Sequence, residues 1–572
     1  MIEKTIIKLK KLIKKNNLDG YVIPKNDAYF SEYAKPDRLK SISNFSGSAG
    51  YAIIFQKKNY LFVDPRYTLQ ADIESGKIFN IIEIPKFSPK DIFDNSKKKL
   101  IIGFDPQVFT SFSIKRNFGK EFNLVPIKQN LVDKIIKTKN TKFVNSFYQL
   151  NKKITGESVK SKIERLFEIL KKEKINNIFI SAPENVAWLL NLRGRDNPNS
   201  PIPNCKLILS KNRKAYFFSC PKKITKIKKN RELQNLEFSK YSDFEKIIKK
   251  LNGKNFCIDK MTCSVANENI IKKNFKIKSE NDPIYYLKSI KNKTEIQNMI
   301  ETHIIDGVAL TKFIYWIKNI NKNQITEIKA QKKLESLRKL NKKYLFPSFN
   351  TIAGTESNGA IIHYRANKNT NRIIKKDHIF LCDSGGQYKY GTTDVTRTIC
   401  FSKQKNSLKD KYTRVLKGHV SVALTNLNKF NTGKKIDYMA RKHLKEVGLD
   451  YGHGTGHGVG FFLNVHEGPQ SISKHNSIKL KEGMILSNEP GYYKKGKYGI
   501  RIENLVFIKR DNNELKFENL TLAPLEIDLI NLSQLNKKEK DYLFNYHLNI
   551  YSKLSKFLNK KERKWLANFL TF

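Results

Sequence analysis

Five side chains that could bind cations fall between Asp383 and Glu503, each set among glycines or in an apolar run that reads as strand. In LCDSGGQYKYGTTDVTRT, Asp383 ends an apolar run, and Asp394 follows eleven residues later, past the turn signals Gly385, Gly386 and Gly391. The spacing predicts a hairpin with a carboxylate on each arm. YGHGTGHGVGFFLNVHEGP then offers His453, His457 and His466, LSNEPGYY offers Glu489, and GIRIENLVFI offers Glu503. Four carboxylates cannot converge in a low-dielectric pocket unless something cancels their charge. Two divalent cations would do so. Oxygen-rich ligation with one imidazole suits Mn²⁺, Co²⁺, Fe²⁺ or Zn²⁺, and bridging carboxylates would hold the ions roughly 3.5 Å apart, the spacing of two-metal hydrolysis. One such Asp in a hairpin would be an ordinary surface acid, but five ligand-type residues inside motifs this particular would not.

The strings LCDSGGQY, TTDVTRT, HGTGHGVGFFLNVHEGP, SNEPGYY and GIRIEN resemble the signatures of the Xaa-Pro aminopeptidases (aminopeptidase P) of the long, three-domain cytosolic type. The resemblance runs from about Asn17 to about Leu525. It implies an α/β (α+β) chain with two tandem creatinase-like N-terminal domains, a pita-bread catalytic domain and a C-terminal helical extension. The expected segments are 1–150, 151–288, 289–522 and 523–572. Carried over by motif, Asp383, Asp394 and Glu503 would bind one ion, and Asp394, His457, Glu489 and Glu503 the other, with Asp394 and Glu503 as bridges. Mn²⁺ is the expected metal. Glu489 would accept a proton from a hydroxide-forming water between the ions, His466 and His363 would serve the substrate and the oxyanion, His453 would shape the pocket around the proline ring, and Arg501 would orient Glu503 or the substrate. The implied reaction is release of the N-terminal residue from peptides with proline in second position, by a homodimer. A prolidase confined to Xaa-Pro dipeptides and a non-catalytic relative binding RNA or ribosomes are the rival readings.

A chain of 572 residues exceeds one core. Its formal charge of +55 alone would suggest nucleic acid or an anionic membrane. The lysines, however, are scattered through every segment, and no RNP, KH or zinc-finger pattern occurs, so neither a specific nucleic acid nor a membrane is expected as partner. Six cysteines without a CxxC pair fit a reducing cytoplasm. The N-terminal MIEKTIIKLKKLIKKNN is broken by lysines and reads as an amphipathic helix rather than a signal peptide.

The elements that must position the site follow from periodicity. Two copies of one α/β module are expected, divided near Val144 to Thr155, with IIGFDPQVFTSF in the first answering to FCIDKMTCSVAN in the second. Within the second copy, APENVAWLLNLRG reads as a loop in which Trp188 and Arg193 either line a peptide channel or dimer contact, or are packing residues. Apolar residues near 3.6 spacing predict a helix over Lys293 to Ile317 that opens the catalytic part. GAIIHYRAN is expected as a strand delivering His363, and the stretch beyond Leu525 as one or two amphipathic helices.

Overall fold

The computed structural model describes residues 2–93, 99–136, 145–321 and 325–571. These form two compact units, one of residues up to Lys152 with Glu157–Tyr285, the other of Lys153–Gly156 and Tyr286 onward.

The first unit contains two six-stranded sheets with one topology. The first sheet runs Asn80–Glu83, Asn59–Val63, Tyr51–Phe55, Gly20–Pro24, Ile101–Phe104, Asn123–Pro126; the second runs Leu236–Ser239, Ala215–Phe218, Lys206–Ser210, Asn177–Ile180, Asn255–Asp259, Lys276–Glu280. Strand directions repeat as well: each first strand pairs antiparallel with the hairpin that follows it and parallel with the fifth strand. The correspondence expected between IIGFDPQVFTSF and FCIDKMTCSVAN is therefore observed. Each is a fifth strand, and each leads through an Asp-headed turn into a helix capped by a hydroxyl, Thr110 in one copy and Ser264 in the other. Capping satisfies an N–H that the helix start leaves open, so the Thr or Ser fixes where each helix begins. The N-terminal helix Ile2–Lys15 buries Ile6, Leu9 and Ile13. Of the expected division between the copies, Val144 lies outside the described residues.

One segment of this unit differs from its reading. APENVAWLLNLRG contains a helix, Pro183–Leu189, with Pro183 in its first turn. Asn185, Val186, Ala187, Trp188 and Leu189 are all buried, and a seven-residue helix without an exposed face has no periodicity to betray it. Trp188 and Arg193 are themselves buried, with Arg193 Nη1 donating to the Leu192 carbonyl at 2.8 Å, which favours their packing reading.

In the second unit the helix Lys293–Asn319 starts from a capping box in which Asn292 and Glu295 satisfy each other's backbone N–H. Helices Glu327–Lys339, Asn406–Ala423 and Gly433–Lys445 follow. They accompany four antiparallel sheets among the described residues: two small ones, Tyr344–Pro347 with Gly386–Tyr388 and Gly391–Thr392, and Gly491–Lys494 with Tyr498–Arg501, and two larger ones. One is Ile352–Thr355, Ile379–Ser384, Val395–Cys400; the other is Glu467–Ile472, Gly456–Gly458, Ile485–Asn488, Asn504–Asp511, Glu514–Asn519. The final helices, Lys537–Leu554 and Lys560–Leu570, bury Leu543, Ile550, Leu554 and Leu566 in one cluster with Tyr412, Leu416 and Ile502.

GAIIHYRAN is not a strand. It forms consecutive turns, with Ile361 N–H donating to Asn358 and Tyr364 N–H to Ile361. The cause is close backbone packing and a buried anchor: a Cβ on Gly499 would sit 1.9 Å from the Gly359 carbonyl oxygen, and the Tyr364 hydroxyl is tied to the Glu327 carboxylate at 2.8 Å.

Candidate metal centre

The paired strands Ile379–Ser384 and Val395–Cys400 put Asp383 opposite Thr396, and Asp394 immediately before the second arm. A Cβ on Gly385 would fall 2.0 Å from the Thr393 carbonyl oxygen, so only glycine lets the arms close here. His457 sits in the strand Gly456–Gly458, where a Cβ on Gly456 would fall 1.9 Å from the Ser487 carbonyl oxygen. That approach sets His457 against the segment carrying Glu489. The Ser487 hydroxyl makes the join, accepting from His457 N–H at 2.9 Å and donating to Glu489 Oε1 at 3.0 Å. Glu503 is fixed through Thr396, whose carbonyl accepts the Glu503 N–H at 3.1 Å and whose hydroxyl donates to Glu503 Oε2 at 2.8 Å.

All five expected ligands are thereby brought together. Ligand atoms of Asp394, His457 and Glu503 lie within 4.8 Å of one another. His457 Nε2 is 3.5 Å from Asp394 Oδ2 and 3.5 Å from Glu489 Oε1. His457 Nδ1 donates to the Gly458 carbonyl at 2.9 Å, which leaves the Nε2 lone pair facing the carboxylates, as a metal-binding imidazole requires.

The electrostatics call for cations. Burial, reinforced by Asp394 and Glu489 and only partly offset by Arg501, pushes the Asp383 carboxyl up to about 7. Burial and the neighbouring Asp394, Glu489 and Asp383 push Glu503 well above the ordinary carboxylate range, and burial raises Glu489. For His457, burial alone would lower the value, but Asp394 and Glu489 outweigh it and raise it to about 9. Asp383 Oδ1 is buried without a hydrogen-bond partner. Four carboxylates against the single guanidinium of Arg501 leave a strong negative excess, which two divalent cations would reverse to within one charge of neutrality. The donor set and the unpartnered oxygen therefore fit a pair of ions.

Arg501 holds Asp383 directly and reaches Glu503 through the Thr396 hydroxyl. It is 2 % exposed, and its Nη2 donates to Asp383 Oδ2 at 2.6 Å, its Nη1 to the Tyr493 hydroxyl at 2.6 Å and its Nε to Thr396 Oγ1 at 3.2 Å. Arg501 ends the strand Tyr498–Arg501, paired with Gly491–Lys494, and the chain enters the five-stranded sheet only at Asn504, so the alternation of a single strand does not run from Arg501 to Glu503. His453 lies in the bend before its strand, half-buried, with Nε2 2.9 Å from the Tyr493 hydroxyl. His466 is exposed, its ring 4.3 Å from that of His457 and inclined at 63°. His363 is half-buried in its turn, and the preceding Ile362 carbonyl accepts from Arg501 Nη2 at 3.4 Å.

Several supporting residues were not picked out from the sequence. Tyr493, Thr396 and Ser487 stand inside the quoted motifs, but hydroxyl roles leave no mark in spacing. Glu467, next to His466, is clamped by two buried lysines, Lys288 at 3.1 Å and Lys291.

The site defines a metal-dependent hydrolase, and comparison with known proteins places it. Residues 297–510 match the model of metallopeptidase family M24, 513–569 that of its C-terminal region, and 6–135 and 138–295 two models of the creatinase/prolidase N-terminal domain. The chain is 37% identical to the probable Xaa-Pro aminopeptidase P of Laccaria bicolor, covering 98% of this chain and 92% of that protein. It is 36% identical to Xaa-Pro aminopeptidase 1 of Dictyostelium discoideum, covering 99% and 96%. The X-prolyl aminopeptidase of Caenorhabditis elegans, described as a cytosolic enzyme with a di-nuclear active site, superposes with a TM-score of 0.93 at 29% identity, covering 100% of this chain and 99% of that one. The prolidase of Pyrococcus furiosus superposes with a TM-score of 0.51 at 26% identity and covers 62% of this chain. The chain belongs to the Xaa-Pro aminopeptidases of metallopeptidase family M24, with creatinase-like N-terminal domains before a pita-bread domain.

Proposed function

We propose that this protein removes the N-terminal residue from peptides whose second residue is proline, using two divalent metal ions. The observation that carries the reading is the convergence of Asp383, Asp394, His457, Glu489 and Glu503 on one buried acidic point. The proposed assignment gives one ion Asp383, Asp394 and Glu503, and the other Asp394, His457, Glu489 and Glu503. When bound, the ions supply an activated water and polarise the scissile carbonyl.

The rest falls to the chain. Glu489, held by the Ser487 hydroxyl, takes up the proton released from that water. His466, exposed beside His457, donates to the oxygen on which negative charge develops, and His363 assists from its turn on the substrate side. His453, leaning on Tyr493, borders the proline ring, while Arg501 keeps Asp383 oriented. A bond before proline has no N–H, so subsites that hydrogen-bond that group cannot serve, and shape must replace them. The segments 1–150, 151–288, 289–522 and 523–572 are the proposed domains.

Oxygen-rich ligation favours Mn²⁺. The description of the Caenorhabditis elegans enzyme as cytosolic supports a cytosolic setting, and a homodimer is proposed as the working form. The test is hydrolysis of Xaa-Pro-Xaa tripeptides and Xaa-Pro dipeptides by ion-free protein reloaded with Mn²⁺, Zn²⁺, Co²⁺ or Fe²⁺ in turn. Cleavage of the tripeptide with release of its first residue supports the reading; cleavage of dipeptides alone would make the protein a prolidase.

A further inference from the structure

Behind Glu503, on the side away from the other carboxylates, stands a buried charge that the reaction does not use. Arg397 is 3 % exposed, and the five N–H groups of its guanidinium meet six oxygens, all neutral, with one N–H of Nη2 shared. Nη1 spans two strands at the level of the ligand, donating to the Thr396 carbonyl at 2.8 Å and the Glu503 carbonyl at 2.7 Å. Nη2 donates to Asn504 Oδ1 at 2.8 Å. The remaining bonds go to the C-terminal region: Nε to the Pro524 carbonyl at 2.9 Å, and Nη2 to the Ala523 carbonyl at 2.8 Å and the Tyr546 hydroxyl at 2.9 Å. Tyr546 belongs to the helix Lys537–Leu554, and its hydroxyl donates in turn to the Ala523 carbonyl at 2.9 Å.

A cation taken from water and given no anion is costly, and it persists only where every donor is satisfied. Its field is felt around it. Burial and then Arg397 push His419 down to about 3, and burial, with Arg397 adding to it, pushes His547 down to about 4. The position is informative: a rigid, planar fork ties the backbone of Glu503 and of Thr396, the residue whose hydroxyl holds the Glu503 carboxylate, to a strap and helix far along the chain.

We propose that Arg397 and Tyr546 form a buried clasp through which the C-terminal helices set the position of Glu503, so that this region is a working support of the metal centre. Arg397 and Tyr546 are positioning residues, since neither touches the proposed ions or the substrate. The inference rests on the proposed metal centre, and the test separates the two.

Ion-free wild type, Tyr546→Phe and Arg397→Lys are titrated with Mn²⁺ by calorimetry, with Tyr551→Phe, on the same helix but outside the network, as control. Folding is followed by circular dichroism and Tm. Arg397→Lys keeps the charge but cannot span both carbonyls, and should weaken Mn²⁺ binding about 10-fold or more. Tyr546→Phe leaves the ring packed and removes one acceptor, and should weaken it roughly 3-fold or more; Tyr551→Phe should leave it unchanged. If Arg397→Lys does not fold, Tyr546→Phe decides alone. A Tyr546→Phe protein with lower Tm but wild-type Mn²⁺ affinity overturns the clasp and leaves the site intact. Wild type that binds no Mn²⁺ overturns the metal centre itself, and the clasp with it.

Discussion

Replacing Asp383 by Asn should stabilise the ion-free protein at neutral pH while reducing the stabilisation that ions confer. In the folded chain Asp383 holds its proton up to about 7, against an ordinary value of 3.8, because burial and the neighbouring carboxylates outweigh Arg501. An acid whose folded value is raised binds more protons in the folded than in the unfolded state between those limits. Stability is therefore fully present below about pH 4 and is lost progressively as pH rises to about 7, staying lost above it. Roughly three pH units at about 1.4 kcal/mol each put the cost of the ionised group on the order of 4 kcal/mol; Glu489 and Glu503 act in the same direction. Asparagine keeps the shape and an acceptor for Arg501 and never ionises. At about 2 °C per kcal/mol for a unit of this size, Asp383→Asn should melt about 8 °C above ion-free wild type at pH 8, the gap shrinking to about 3 °C at pH 5. Scanning calorimetry of both proteins, with and without Mn²⁺, measures this; Mn²⁺ should raise the Tm of wild type at pH 8 and raise that of the variant less, because the variant keeps the ligands of only one ion. An ion-free variant less stable than wild type at pH 8 would mean that Arg501 alone satisfies an ionised Asp383, and the argument that the site lacks positive charge would fall.

Asp394→Asn and Glu503→Gln should each abolish turnover of an Xaa-Pro peptide while leaving circular dichroism unchanged, because each removes a charge shared by both ions; near-wild-type rates with two ions bound would refute the bridging assignment. His466→Ala should lower kcat about 100-fold with ion content unchanged, the usual loss for one oxyanion donor, whereas a rise in KM at constant kcat would make it a binding residue. Adhesion to RNA or heparin should be weak, indifferent to sequence and gone above about 200 mM salt, as dispersed lysines give only counterion release; binding that survives such salt would restore a nucleic-acid role.

The sequence exposes most of this architecture where chemistry or periodicity is local. The first helix, the helix over Lys293–Asn319, the carboxylate hairpin and the two-copy module are all written in runs of neighbouring residues, and each is found. The failures are of another kind. Pro183–Leu189 is buried on nearly every side and so carries no helical stripe, and the turns holding His363 are dictated by Gly499 and Glu327, which approach from elsewhere in the chain. The same limit applies inside the site. Ligand types and motif wording name Asp383, Asp394, His457, Glu489 and Glu503, since a cation selects for donor atoms that only a few residue types carry. What orients them is chosen by geometry alone. Arg501 stands two residues from Glu503 yet grips Asp383, more than a hundred residues away, and meets Glu503 only through Thr396. Arg397 sits one residue from Thr396 in a motif already singled out, yet its partners at Pro524 and Tyr546 are more than a hundred residues away. A residue whose work is to join distant backbone segments leaves its signature in the fold, and only the contacts reveal that the end of the chain reaches the floor of the metal site.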